Sequence, residues 1–133
     1  MTDEAQRDTQ ERKRARHAYE ALQNMRGRPK VCTRVQGLPI EVRAQGLTVA
    51  VATLLKEDRA ESRELARLLA SWVLGDKAHI VVDPPSNPTG AQLLERATTS
   101  VRSEYLAMQT EALAYLEHVK RLASALEKSE KSA

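Results

Sequence analysis

An apolar stripe near the C-terminus restricts the fold more than any other part of this chain. Tyr105, Met108, Ala112, Tyr115, Val119, Leu122 and Leu126 alternate steps of three and four over three heptads, the period of one helical face. Leu106, Leu113 and Leu116 widen the stripe, so it predicts a long helix docked into a bundle. A face of this width has to be covered, and the rest of the chain is expected to supply the covering helices. Ser129 to Ala133 are polar and are expected to fray beyond it.

The remaining segments carry the same period. Within residues 59–74, Leu65, Leu68, Leu69, Trp72 and Val73 fall at i, i+3, i+4, i+7 and i+8. Asp58 and Glu61 resemble a capping box there, and Gly75 suits the stop. An N-terminal helix over about residues 6–25 places Ala15, Ala18, Tyr19, Leu22 and Met25 on one side, with residues 1–10 as a solvated extension. Val31, Val35, Leu38 and Val42 form a further stripe that Gly37 and Pro39 interrupt. Proline removes a backbone donor and disfavours helical geometry at the residue before it, so a kink or a fresh start is expected. Gly46 permits another change of direction before the apolar stretch 47–55. Residues 75–90 hold three of the five prolines and two of the five glycines. They read as a long surface loop, with Ile80 to Val82 as a candidate short strand. A helix from near Ala91 returns Leu93, Leu94 and Ala97 to the core, and Thr98, Thr99 or Ser100 is placed to end it and to cap the last helix. The expectation is an all-α fold, a single domain over residues 1–133 built as one compact bundle of five to six helices with a kinked second helix.

Residues able to perform chemistry are few. His17, His79 and His118 stand in no Glu-x-x-His or His-Glu-x-x-His pattern, and there is no paired Cys-x-x-Cys, so no metal ligands are assigned. Cys32 is the only cysteine; it cannot form an internal disulfide and reads as a small inert core residue. Gly27, Gly37 and Gly46 are isolated and make no phosphate-binding loop. No catalytic residue and no cofactor is expected. No apolar run approaches the roughly 20 residues of a membrane span, and the polar start lacks the apolar stretch of a signal peptide. The expected location is the reducing cytoplasm.

Charge is distributed unevenly. Between residues 11 and 50 there are nine Lys or Arg against three acids. Arg12, Lys13, Arg16, Arg26, Arg28, Lys30, Arg34 and Arg43 are candidates for one cationic surface facing phosphates. One Trp, three Tyr and no Phe leave little ring surface for stacking on bases, so contact with a nucleic-acid backbone is expected instead.

Several short motifs occur in a characteristic order. Leu38-Pro39 lies in the kinked segment, Gly46-Leu47 opens a short apolar helix, and Ala70-Ser71-Trp72-Val73 ends another. Tyr105, Thr110-Glu111-Ala112-Leu113 and Lys120-Arg121 follow on the last helix. Over about residues 11–127 the chain resembles the small helical subunit of the type III-B (Cmr) CRISPR effector complex. His118 replaces an aromatic residue frequent in that family, and the loop at 75–90 has no family counterpart. The resemblance implies a noncatalytic, cytoplasmic subunit of an antiviral ribonucleoprotein. Copies of it would stack beside the guide-binding backbone subunit and line the groove in which guide RNA pairs with target RNA, and other subunits would perform the chemistry. It also implies Lys120 and Arg121 as RNA contacts, although cations near a helix C-terminus oppose the helix dipole by ~0.3–1 kcal/mol without any RNA. The competing expectation is a helical protein–protein adaptor with no nucleic-acid role. A helix-turn-helix DNA regulator ranks below both, because segment 47–55 is too apolar to lie in a DNA groove.

Overall fold

The C-terminal stripe forms the longest element, and the chain before it is laid along that element. This computed structural model describes residues 9–132. Its elements in order are α1 (Gln10–Gln23), α2 (Arg28–Val35), α3 (Leu38–Gln45), α4 (Leu47–Glu57), α5 (Ala60–Val73), a 3-10 turn (Asp76–Ala78), α6 (Gly90–Thr99) and α7 (Arg102–Ser132). No strand occurs among the described residues: in the segment considered for one, Val81 is buried while Val82 is exposed, with no neighbouring strand to pair with. Taking α2 and α3 as the halves of one bent helix gives six helices among the described residues. The bend lies at Gln36 and Gly37, and Pro39 occupies the first turn of α3, where its missing N–H removes no helical bond.

At about 1.5 Å per residue, the 31 residues of α7 span roughly 46 Å. α1 runs parallel to α7, with Arg14 meeting Glu111 and His17 meeting Tyr115. After the turn at residues 24–27 the chain returns: Arg28 meets Glu127, Gln36 meets Ser124, Arg43 meets Glu117 and Leu47 meets Gln109. The heptad stripe faces inward along this path. Met108, Ala112, Tyr115 and Val119 are fully buried, and Tyr105, Leu122 and Leu126 pack half-buried against the core. Val31, Val35, Leu38 and Val42 are likewise buried, so the stripe continues across the bend.

The α3–α4 corner requires glycine. Gly46 has φ 91 and ψ 162, and a Cβ there would lie 2.8 Å from the Tyr105 hydroxyl. That hydroxyl is positioned because Leu47 N–H donates to it at 3.0 Å and to Gln109 Oε1 at 2.9 Å. A donor at the start of α4 is thereby satisfied from α7.

Several expected boundaries are corrected. Asp58 does not cap α5: it ends α4 in the left-handed region at φ 52, its carboxylate accepts from Arg63, and Arg59 takes the N-cap position. The reciprocal box instead opens α6, where Thr89 Oγ1 accepts from Gln92 N–H and the Gln92 side chain accepts from Thr89 N–H. Ser100 ends α6, but its hydroxyl does not cap α7 and is buried without a partner among the described residues. The tail expected to fray from Ser129 continues α7 to Ser132, because Arg28 pairs with both Glu127 and Glu130 on its last turns. α1 starts at Gln10 behind the N-cap Thr9; the expected start at residue 6 and most of the expected extension lie outside the described residues. No helix is long and apolar enough to cross a membrane, among the described residues.

Candidate nucleic-acid interface

The candidate cations divide by where their helices point them. Arg12 and Arg16 are exposed one turn apart on α1, with Lys13 half-buried between them. Arg26 is exposed in the α1–α2 turn, and Lys30 in the first turn of α2. Arg43 is exposed on α3 and reaches Glu117 at 3.3 Å. On α7, Arg121 is exposed and Lys120 half-buried. Among the described residues, Arg26, Lys30 and Arg121 make no ion pair.

Arg28 is buried and Arg34 half-buried, and both are committed to carboxylates. Arg28 shares the buried face of α2 with Val31 and Val35. A guanidinium there must be paired: it donates to Glu127 at 2.7 Å and to the Leu22 carbonyl at 3.3 Å, and it also pairs with Glu130. Bonds to Glu130 and then Glu127 raise its pKa above the ordinary arginine value. Arg34 makes two bidentate contacts, at 2.7 and 3.0 Å to Glu41 and at 3.0 and 3.0 Å to Glu57. It thereby ties α2 to α3 and α4 across the bend. The Arg34 bond holds the Glu57 carboxyl below its usual range against the opposing effect of burial, and a bond from Ser62 adds to it.

Three cations missing from the sequence reading sit close to α2. Lys128 and Lys131, in and beside the segment expected to fray, line a shallow depression of about 330 Å³ with Cys32 and Ser124. On the other side of α2, Arg59 joins Lys30 around a depression of about 380 Å³. The spacing of Glu127 and Glu130, three residues apart on one helical face, was the available sign that α7 continues this far.

A second polar group joins α1, α5 and α7. Arg14 donates twice to Glu111, at 2.5 and 3.1 Å, and Trp72 Nε1–H donates to the same carboxylate at 2.8 Å. Burial pushes Glu111 up, but the bonds from Arg14 and Trp72 together outweigh it and hold the carboxyl below its ordinary value. The His17 ring lies 2.7 Å from the Tyr115 hydroxyl and 3.1 Å from the Ser71 hydroxyl, edge-on to Trp72 and Tyr115. Burial, then Lys77, lowers the His17 pKa. This contact has the elements of a nucleophile and its base. Ser71, however, is inside α5, where the surrounding amides are committed to helical bonds and cannot serve an oxyanion. The group joins three helices. Among the described residues, no cluster of three His, Cys, Asp or Glu is placed to hold a metal ion.

Comparison with known proteins gives this arrangement a family. The profile of the CRISPR-associated protein family Cas_Cmr5 matches residues 10–126, nearly all of the helical bundle. The fold is similar to the crystal structure of a CRISPR-associated Cmr5 family protein from Thermus thermophilus, with a TM-score of 0.73 and 28% identity, over 90% of this chain and 97% of that one. No curated protein matches the sequence. The chain therefore belongs to the Cmr5 family of CRISPR-associated proteins, the small subunit of the type III-B Cmr complex.

Proposed function

We propose that this chain is a noncatalytic, cytoplasmic scaffold subunit of an antiviral Cmr complex. It stacks with copies of itself beside the guide-binding backbone subunit and helps form the groove that holds guide RNA and target RNA. The reading is supported by how the charges are partitioned. Buried Arg28 and half-buried Arg34 take up Glu127, Glu130, Glu41 and Glu57, while Arg26, Lys30 and Arg121 face solvent without an ion pair among the described residues. Trp72 and Tyr115 are buried, so these cations act on phosphates by charge and leave base reading to the guide. Arg12, Lys13, Arg16, Arg43, Lys120, Lys128 and Lys131 extend the same role along α1, α3 and α7. Exposed Ile40, Val49, Val101 and Leu106 provide apolar surface for neighbouring subunits.

The test is a complex assembled with the Arg26→Glu, Lys30→Glu chain. Target-RNA retention falls, while the isolated chain melts within about 0.5 kcal/mol of wild type, as exposed substitutions do. Full retention of RNA with both charges reversed rejects the interface. If the protein partners are also retained, the adaptor reading takes its place.

A further inference from the structure

The loop at residues 75–90 and α5 enclose an open groove of about 1020 Å³ that the RNA reading does not use. On the α5 side, Arg63, Arg67 and Ser71 line it at successive four-residue steps, hence about 6 Å apart along the helix. Pro84, Pro85 and Pro88 line the opposite side, and Lys77 also contributes to the lining. The walls are fixed by two close approaches. A Cβ on Gly75 would lie 2.5 Å from the Ser71 carbonyl, and one on Gly90 would lie 2.8 Å from the Ala66 Cβ. With glycine at both junctions and proline between them, the groove is formed before anything enters it, which lowers the ordering cost of binding.

Three of the charged lining residues are cations and one, Asp76, is an acid. Arg63 holds exposed Asp58 at 2.7 Å and Arg67 holds half-buried Glu64 at 2.6 Å, and both arginines are themselves exposed. Such surface pairs are weak and exchange readily for a better-placed anion. In an extended peptide, residues two apart lie about 7 Å from each other on one side and their neighbours point to the other. The arginine spacing suits the first set, and the proline wall suits the second. A polyphosphate is a poorer fit, because it presents no apolar edge to the prolines.

We propose that this groove docks an extended segment of another protein of the complex whose alternate residues are acidic. Its carboxylates meet Arg63, Arg67 and Lys77, and its intervening apolar side chains lie on Pro84, Pro85 and Pro88. None of the residues lining the groove is among the cations assigned to RNA. The proposal is tested by zero-length carbodiimide coupling on the assembled complex, followed by peptide mapping. The expected product joins Lys77 Nζ to an Asp or Glu of a different subunit, and that product is lost with Arg63→Glu, Arg67→Glu and with the milder Arg63→Gln, Arg67→Gln, both of which leave the melting temperature of the isolated chain unchanged. Coupling of Lys77 only within this chain or to a second copy overturns the proposal. So does a product indifferent to both double variants, or one that forms only after nuclease digestion, which would put RNA in the groove.

Discussion

Replacing Arg28 with alanine distinguishes a structural arginine from an RNA-binding one. The substitution leaves Glu127, whose side chain is 15% exposed, without its guanidinium, and removes the donor to the Leu22 carbonyl. Glu130 is 65% exposed and regains water, so its share of the loss is small. Breaking a fully buried pair costs about 3–5 kcal/mol. With one of the two carboxylates half-buried and the other exposed, the loss here is about 2–3 kcal/mol. For a chain of this length that lowers Tm by roughly 6–10 °C. Thermal melts followed by circular dichroism measure it directly. The Arg28→Met, Glu127→Leu double substitution recovers most of the loss, because an apolar pair replaces a buried ionic one at little cost. Assembled complexes carrying Arg28→Ala retain target RNA at temperatures below the melt. An unchanged melt together with lost RNA retention would make Arg28 a phosphate contact and refute the charge partition described above.

Other consequences can be checked in the isolated chain. Gly46→Ala places a Cβ 2.8 Å from the Tyr105 hydroxyl at φ 91, so urea denaturation should show a loss of about 2–4 kcal/mol; a neutral result contradicts the corner geometry. Burial, with Lys77, lowers the His17 pKa below 6.5, and burial lowers that of His118 in the same direction. The unfolded chain therefore takes up these protons first as pH falls: stability is complete above that value and declines on acidification towards the folded pKa values. Urea midpoints at about pH 7.5 and about pH 5.5 should differ less for His17→Gln than for wild type, and equal differences count against the assignment. Val119→Asp puts an unpaired carboxylate at a fully buried position and should cost at least about 4 kcal/mol. A variant that folds normally and loses only self-association would show that the seam belongs to an interface.

What was legible in the sequence is what depends on local period and local backbone limits. The α7 stripe, the interruption at Gly37 and Pro39 and the turn at Gly46 all appear where side-chain spacing and proline or glycine placed them. Caps were less legible. Asp58 and Glu61 have the spacing of a box, but Asp58 adopts φ 52 to end α4, and nothing in four residues shows which helix a polar residue will serve. The partition of the cations was half legible. Composition locates a cationic stretch, but whether each cation faces water depends on carboxylates that arrive from far along the chain. Glu127 lies 99 residues from Arg28, and Glu57 lies 23 from Arg34. The helical face of Arg28, shared with Val31 and Val35, was the only local sign that it turns inward. His17, Ser71 and Tyr115 likewise meet only because α1, α5 and α7 do.

The salt dependence of target-RNA binding by the assembled complex bears most directly on the scaffold role. Each phosphate contact contributes a slope of about −0.7 to −0.9 to the dependence of log affinity on log salt concentration. Replacing Arg26 and Lys30 with glutamine in every copy should flatten that slope by roughly one for each phosphate no longer neutralised, equally for unrelated target sequences paired with matching guides. A slope that does not change, or a loss confined to particular sequences, would contradict a subunit that holds RNA by charge and shape alone.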